Sequence, residues 1–139
     1  ENRNNMFVKT NIKMITLKED MSHLFEIDEA VCGGDIVSLP TDRFMGQAKC
    51  VECDFLGRPA KFPQGPFSVA AMRGLDVLAV NVMKTGAKKY HIYVTPLHYD
   101  KQQPRKEQIR QLSQAYVAEL EKRVLQYPTQ WYNFFDFWK

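Results

Sequence analysis

The sequence predicts an α/β domain, a mixed sheet flanked by helices, on three observations. Leu75 to Met83 (LDVLAVNVM) is an almost continuous apolar run of strand length, and Asp35 to Leu39 is a shorter one stopped by Pro40. Tyr90 to Pro96 (YHIYVTP) alternates Tyr90, Ile92 and Val94 with His91, Tyr93 and Thr95, the period of two that a strand imposes. From Pro104 the period changes, and Ile109, Leu112, Tyr116, Leu120 and Val124 fall on one helical stripe. With 139 residues, 45% of them hydrophobic and 25% charged, the chain fits one domain, 1–139, that can build a core without disulfides or metal.

Taken in order, Asn11 to Leu17 alternates well enough for a short first strand. Lys18-Glu19-Asp20 brings acidic residues to a helix start that Asp20 or Ser22 would cap. Met21, Leu24, Phe25, Ile27 and Val31 follow at helical spacing, and Gly33-Gly34 ends the run. This helix feeds the strand Asp35 to Leu39, expected to be buried, whose end presents Asp42 and Arg43. Lys49 to Phe55 reads as a second short strand, turned at Gly57-Arg58-Pro59. Phe62-Pro63-Gln64-Gly65-Pro66 then leads into a helix of small and apolar residues, Phe67 to Met72, closed at Gly74. The Leu75 to Met83 run has the composition of a strand covered on both faces. The short polar turn Lys84 to Lys89 makes it an antiparallel neighbour of Tyr90 to Pro96. The long helix carries Arg105, Lys106, Arg110, Glu119 and Lys122 outward, and Pro128 opens a last short helix. The tail WYNFFDFWK gathers aromatic residues either as a lid over the core or as a contact with lipid headgroups.

Composition narrows the function. The formal charge of +3 comes without a dense Lys/Arg run, so nucleic acid is not the expected partner. No apolar stretch is long enough to span a membrane. Three cysteines, Cys32, Cys50 and Cys53, with no signal-peptide pattern ahead of them imply reduced thiols in a cytosolic setting. The start at Glu1 with a polar lead is what a piece of a longer chain would show.

Each candidate for chemistry has a plainer reading beside it. His23 and Asp28 fit His-x-x-x-x-Asp, in which a carboxylate orients an imidazole for base catalysis, yet Leu24, Phe25 and Ile27 around them favour an ordinary packed helix. Cys50-Val-Glu-Cys53 is a lone CxxC in a strand-like stretch, without a second ligand pair for zinc or a helix start to lower its thiol pKa. His91 and His98 have no nucleophile partner in a G-x-S-x-G setting. Gly65-Pro66 has neither the Lys-Ser/Thr of a P-loop nor a GxGxxG, so it is either a simple turn into a buried helix or a helix start that binds an oxyanion through free N–H groups. Asp42-Arg43 is either a salt-bridged loop pair or a polar site at a strand end.

The central stretch resembles the lysophospholipid acyltransferase-like superfamily, and most closely its lipid A late acyltransferase branch. That branch carries Asp-Gln or Asp-Arg at a strand end, then F-x-G-x-x-A, P-x-G-P, an apolar strand and Y-P-x-Q-W. Here the same order runs Asp42-Arg43, Phe55-x-Gly57-x-x-Ala60, Pro63-Gln64-Gly65-Pro66, Leu75 to Val82 and Tyr127-Pro128-Thr129-Gln130-Trp131. Asp76 stands where many relatives have Pro.

The resemblance implies the second half of a glycerolipid-acyltransferase-like fold. Its activity would be transfer of a fatty acyl group from acyl carrier protein or a CoA thioester to a hydroxyl of a lipid or glycolipid. No cofactor or metal is implied. Asp42, Arg43, Gln64 and Gly65 become the expected substrate-binding residues. The family places its catalytic His-x-x-x-x-Asp/Glu well before the strand end, whereas His23 precedes Asp42 by only nineteen residues. His23 and Asp28 are therefore expected to be a decoy, the catalytic His to lie upstream of Glu1, and this chain to be inactive alone. The full-length protein would work at the cytoplasmic face of the inner membrane, in peripheral contact with it, while this piece would be soluble. The competing expectation is a noncatalytic binding domain whose apolar sheet face pairs two copies into a homodimer.

Overall fold

The computed structural model describes residues 11–16, 22–42, 49–132 and 138. Arg43, the polar lead, residues 17–21 before the first helix and residues 133–137 of the aromatic tail lie outside the described residues. The chain divides into two compact units, Glu1–Leu39 and Pro40–Lys139.

In the first unit, helix α1 spans His23–Cys32 and buries Ile27. Its stop is the expected one: the Gly33 N–H donates to the Glu29 carbonyl, and Gly34, at φ 86°, donates to Val31. The strands expected on either side are not formed. Residues 12–16 and 35–40 carry no regular secondary structure, and Ile36, expected inside, is 99% exposed. An extended segment becomes a strand only when a neighbour takes its N–H and C=O groups. Among the described residues the only ladders lie elsewhere, so apolar content alone could not make one here.

In the second unit, strand β1 (Cys50–Phe55) pairs antiparallel with β2 (Arg58–Pro63), Cys50 opposite Pro63 and Phe55 opposite Arg58. Leu56 and Gly57 form the two-residue turn, with φ of 52° and 76°. Both values are positive, as in the tight turns that match strand twist, and the turn sits one residue earlier than the sequence suggests. A leucine in the left-handed region costs about 1–2 kcal/mol. It is held there by its N–H, which donates to the Glu121 carboxylate at 2.7 Å, and by its side chain on the core. Glu121→Ala removes that acceptor and is expected to lower stability by about 1–2 kcal/mol, read from the urea midpoint, with Glu121→Gln recovering most of the loss.

Helix α2 (Gly65–Arg73) follows, burying Phe67, Ala70 and Ala71. It closes as expected at Gly74, φ 62°, with the Leu75 N–H donating back to the Ala70 carbonyl. Strands β3 (Val77–Gly86) and β4 (Lys89–Leu97) form the second hairpin, Val77 opposite Leu97 and Met83 opposite His91. The α/β class is observed. Among the described residues the strands form two separate two-stranded sheets in place of the expected single mixed sheet, and the short turn within each pair makes it antiparallel.

Helix α3 (Arg105–Gln126), about 33 Å long, joins both hairpins. Its first half places Ile109 and Leu112 against Phe67, Ala70, Ala79 and Leu97, and its second half places Val117, Leu120 and Val124 against Phe55 and Phe62. The helical stripe is therefore confirmed, with Tyr116 at its centre only partly buried. One expectation about β3 is corrected. Ala79 is buried, whereas Leu78, Val80 and Val82 remain more than half exposed. Strand side chains alternate between faces, so one covering layer buries every second residue, and an apolar run does not reveal whether a second layer is present.

Candidate functional site

Three of the five sequence blocks have structural duties. In Phe55-x-Gly57-x-x-Ala60, Phe55 and Ala60 are core residues and Gly57 supplies the positive φ of the hairpin turn. In the last block the Tyr127 hydroxyl is 2.8 Å from that of Tyr93 on β4. Gln130 grips β3 twice, accepting from the Lys84 N–H and donating to its carbonyl, both at 2.8 Å. Trp131 sets its edge against Phe55 at 5.3 Å. This block is thus a clasp that ties the end of α3 to both hairpins. Buried Arg123 reinforces it by stacking over the Tyr93 ring at 4.0 Å. The apolar block is β3 itself.

Asp42 and the block Pro63-Gln64-Gly65-Pro66 are not accounted for in that way. Gln64 precedes α2, its N–H donating to the Lys49 carbonyl and its side-chain amide to the Ser68 hydroxyl at 3.3 Å. No side chain caps the first turn, so the helix start retains N–H groups for an outside acceptor. Gly65 is exposed, does not lie in the left-handed region, and a Cβ added to it would meet nothing within 4 Å among the described residues. Neither a turn nor protein packing asks for glycine there.

Tyr116 brings Asp42 to this corner. Its ring packs on Phe62 at 6.4 Å and on Phe67 at 5.8 Å, the aromatic residues on either side of the Gln64-Gly65-Pro66 turn. Burial raises the phenol's pKa above its ordinary 10.0, and the nearby Asp42 charge raises it further. With the folded value above the unfolded one, the protonated phenol's contribution is intact below pH 10 and is lost as pH rises through the folded value. Tyr116→Phe is therefore expected to lose less stability than wild type between about pH 10 and 12, measured by chemical denaturation across that range. The sequence places Tyr116 in the apolar stripe of α3. The available signal was its being the one aromatic residue in an otherwise aliphatic stripe.

The other candidates are placed elsewhere. On α1, His23 and Asp28 are separated by about 140° around the helix axis, so the spacing does not bring them onto one face. Cys50 and Cys53 sit three residues apart on β1 and so on opposite faces. Burial pushes the Cys53 thiol pKa up, against a smaller lowering by its hydrogen bond with Ser113. Among the described residues no group of three His, Cys, Asp or Glu side chains is arranged to hold a metal ion. Asp76 forms an exposed 2.8 Å ion pair with Lys101. No helix of the described residues is long and apolar enough to cross a membrane.

The bacterial lipid A biosynthesis acyltransferase family matches residues 4–139, almost the whole chain. The chain belongs to that family. No curated protein matches it. Membership in the lipid A acyltransferase family makes the order of the five blocks meaningful, and the structure separates the three that hold this chain's fold together from Asp42 and the Gln64-Gly65-Pro66 turn near Tyr116.

Proposed function

We propose that this chain is the substrate-positioning part of an acyltransferase that moves a fatty acyl group from an acyl carrier protein or CoA thioester to a hydroxyl of a lipid or glycolipid. The observation that carries the reading is Gly65, a glycine that packing among the described residues does not require, at an uncapped helix start whose flanking Phe62 and Phe67 pack on Tyr116, the phenol that feels the Asp42 charge. A side chain there would occupy space that a substrate needs. The N–H groups of Gly65 and Phe67 would stabilise the oxyanion of acyl transfer or hold a phosphate of the donor. Asp42 and Arg43 would position the acceptor headgroup or orient the catalytic imidazole.

In this reading the imidazole comes from a segment preceding Glu1. It takes the acceptor hydroxyl's proton as the oxygen attacks the thioester carbonyl, and the thiolate leaves. The chemistry uses no metal or further cofactor, and its setting is the cytoplasmic face of the inner membrane. The purified chain, given acyl thioester and glycolipid acceptor, is expected to show no transfer. Turnover by the chain alone that His23→Ala abolishes would overturn the division of labour and place the base on α1.

A further inference from the structure

The outer face of the β3–β4 hairpin is a contiguous apolar surface that the packing of the second unit's described residues leaves uncovered. Leu78, Val80 and Val82 on β3 and Tyr90, Ile92 and Val94 on β4 are all more than half exposed. The register sets Val80 opposite Val94 and Val82 opposite Ile92, so these side chains form two adjoining rows about 15–20 Å long. Such a contiguous patch, unlike scattered exposed leucines, marks a place where something binds.

Charge identifies the occupant. Residues 77–98 contain none of the chain's sixteen acidic residues, while Lys84, Lys88 and Lys89 gather at the hairpin's tip. All three lysines are exposed. Where the apolar rows meet the lysines, an open depression of about 580 Å³ is lined by Val82, Lys84, Tyr90, Gln130 and Tyr132. The surface thus grades from aliphatic rows, through two phenols, to ammonium groups. That gradient matches the passage from acyl chains through the interfacial layer to phosphate headgroups. A second copy fits less well. It would bring two acid-free, lysine-tipped hairpins together, so like charges would face one another across the interface.

We propose that the exposed face of the β3–β4 hairpin docks the protein on an anionic lipid bilayer, the aliphatic rows entering the interface and Lys84, Lys88 and Lys89 contacting lipid phosphates. The inference deepens the membrane setting of the proposed function, but it concerns binding and not turnover, so the two fail separately.

The test is sedimentation of the purified chain with vesicles of phosphatidylcholine containing one-third phosphatidylglycerol, and with phosphatidylcholine alone. Binding to the anionic vesicles is expected, about tenfold or more tighter than to the neutral ones, and weakening as salt is raised. Combining Lys84→Glu, Lys88→Glu and Lys89→Glu is expected to reduce it about 100-fold, at about fivefold per lysine lost. Combining Val80→Thr, Ile92→Thr and Val94→Thr keeps strand-forming residues while removing apolar surface, and is expected to weaken binding at an unchanged melting temperature. Absence of binding to anionic vesicles, or binding that neither set of substitutions changes, overturns the proposal. So does a dimer in lipid-free solution that the threonine substitutions dissolve while vesicles capture nothing, since the face then belongs to a second copy.

Discussion

Phe55→Ala is expected to lower the free energy of unfolding by about 3–5 kcal/mol. Phe55 is completely buried among three other aromatic rings. Phe62 and Trp131 present near-perpendicular rings at 5.6 and 5.3 Å, and Trp138 stacks at 6.1 Å. Truncation leaves a cavity that none of these large flat side chains can collapse to fill, and it releases the Trp131 end of the clasp. Since domains of this size are stable by roughly 5–15 kcal/mol, the variant should unfold at markedly lower urea and lose its near-ultraviolet dichroism early. Phe25→Ala is the control: Phe25 is 80% exposed on α1, and its truncation should change stability by less than about 0.5 kcal/mol.

Gly65→Leu is expected to do the reverse, leaving the fold intact and removing function. The new side chain meets open space among the described residues, so the melting temperature should stay close to that of wild type. Affinity for an acyl thioester should fall about tenfold or more, a loss of about 1.4 kcal/mol, because the leucine fills the approach to the helix start. Gly65→Ala should fall between the two. A stability loss with unchanged thioester affinity would make Gly65 a structural residue.

Much of this arrangement is legible in the residues alone, for reasons that differ by element. The start of α2 at Gly65-Pro66, its end at Gly74 and the stripe of α3 are set by local chemistry: proline in a first helical turn, glycine in the left-handed region, and a period that one buried face enforces. The β3–β4 hairpin is legible because a short turn admits a single pairing. The misreadings all concern what lies across space. Whether Asp35 to Leu39 becomes a strand depends on a partner, and whether Val80 and Val82 are covered depends on a second layer. Neither is written in the segment itself. The candidate corner shows the same division. Gln64 and Gly65 announce themselves through their motif, whereas Tyr116, more than seventy residues after Asp42, joins the corner only through tertiary packing.

The order of the blocks identified the family, but it could not say which blocks bind substrate. Phe55, Gly57 and Ala60 resemble a site motif on paper and prove to be a hairpin's core and turn. Tyr127, Gln130 and Trp131 prove to be a clasp. Those duties leave the corner around Asp42, Gln64 and Gly65 for the proposed substrate-positioning role.

That role is tested most directly by following the backbone amides of the isotope-labelled chain during titration with a short-chain acyl-CoA below its micelle concentration. The predicted result is a saturable shift of the Asp42, Gln64, Gly65 and Phe67 amides together, lost in Gly65→Leu. Saturable shifts confined to α1 or to the β3–β4 hairpin, with the Gln64 and Gly65 amides unmoved, would contradict it.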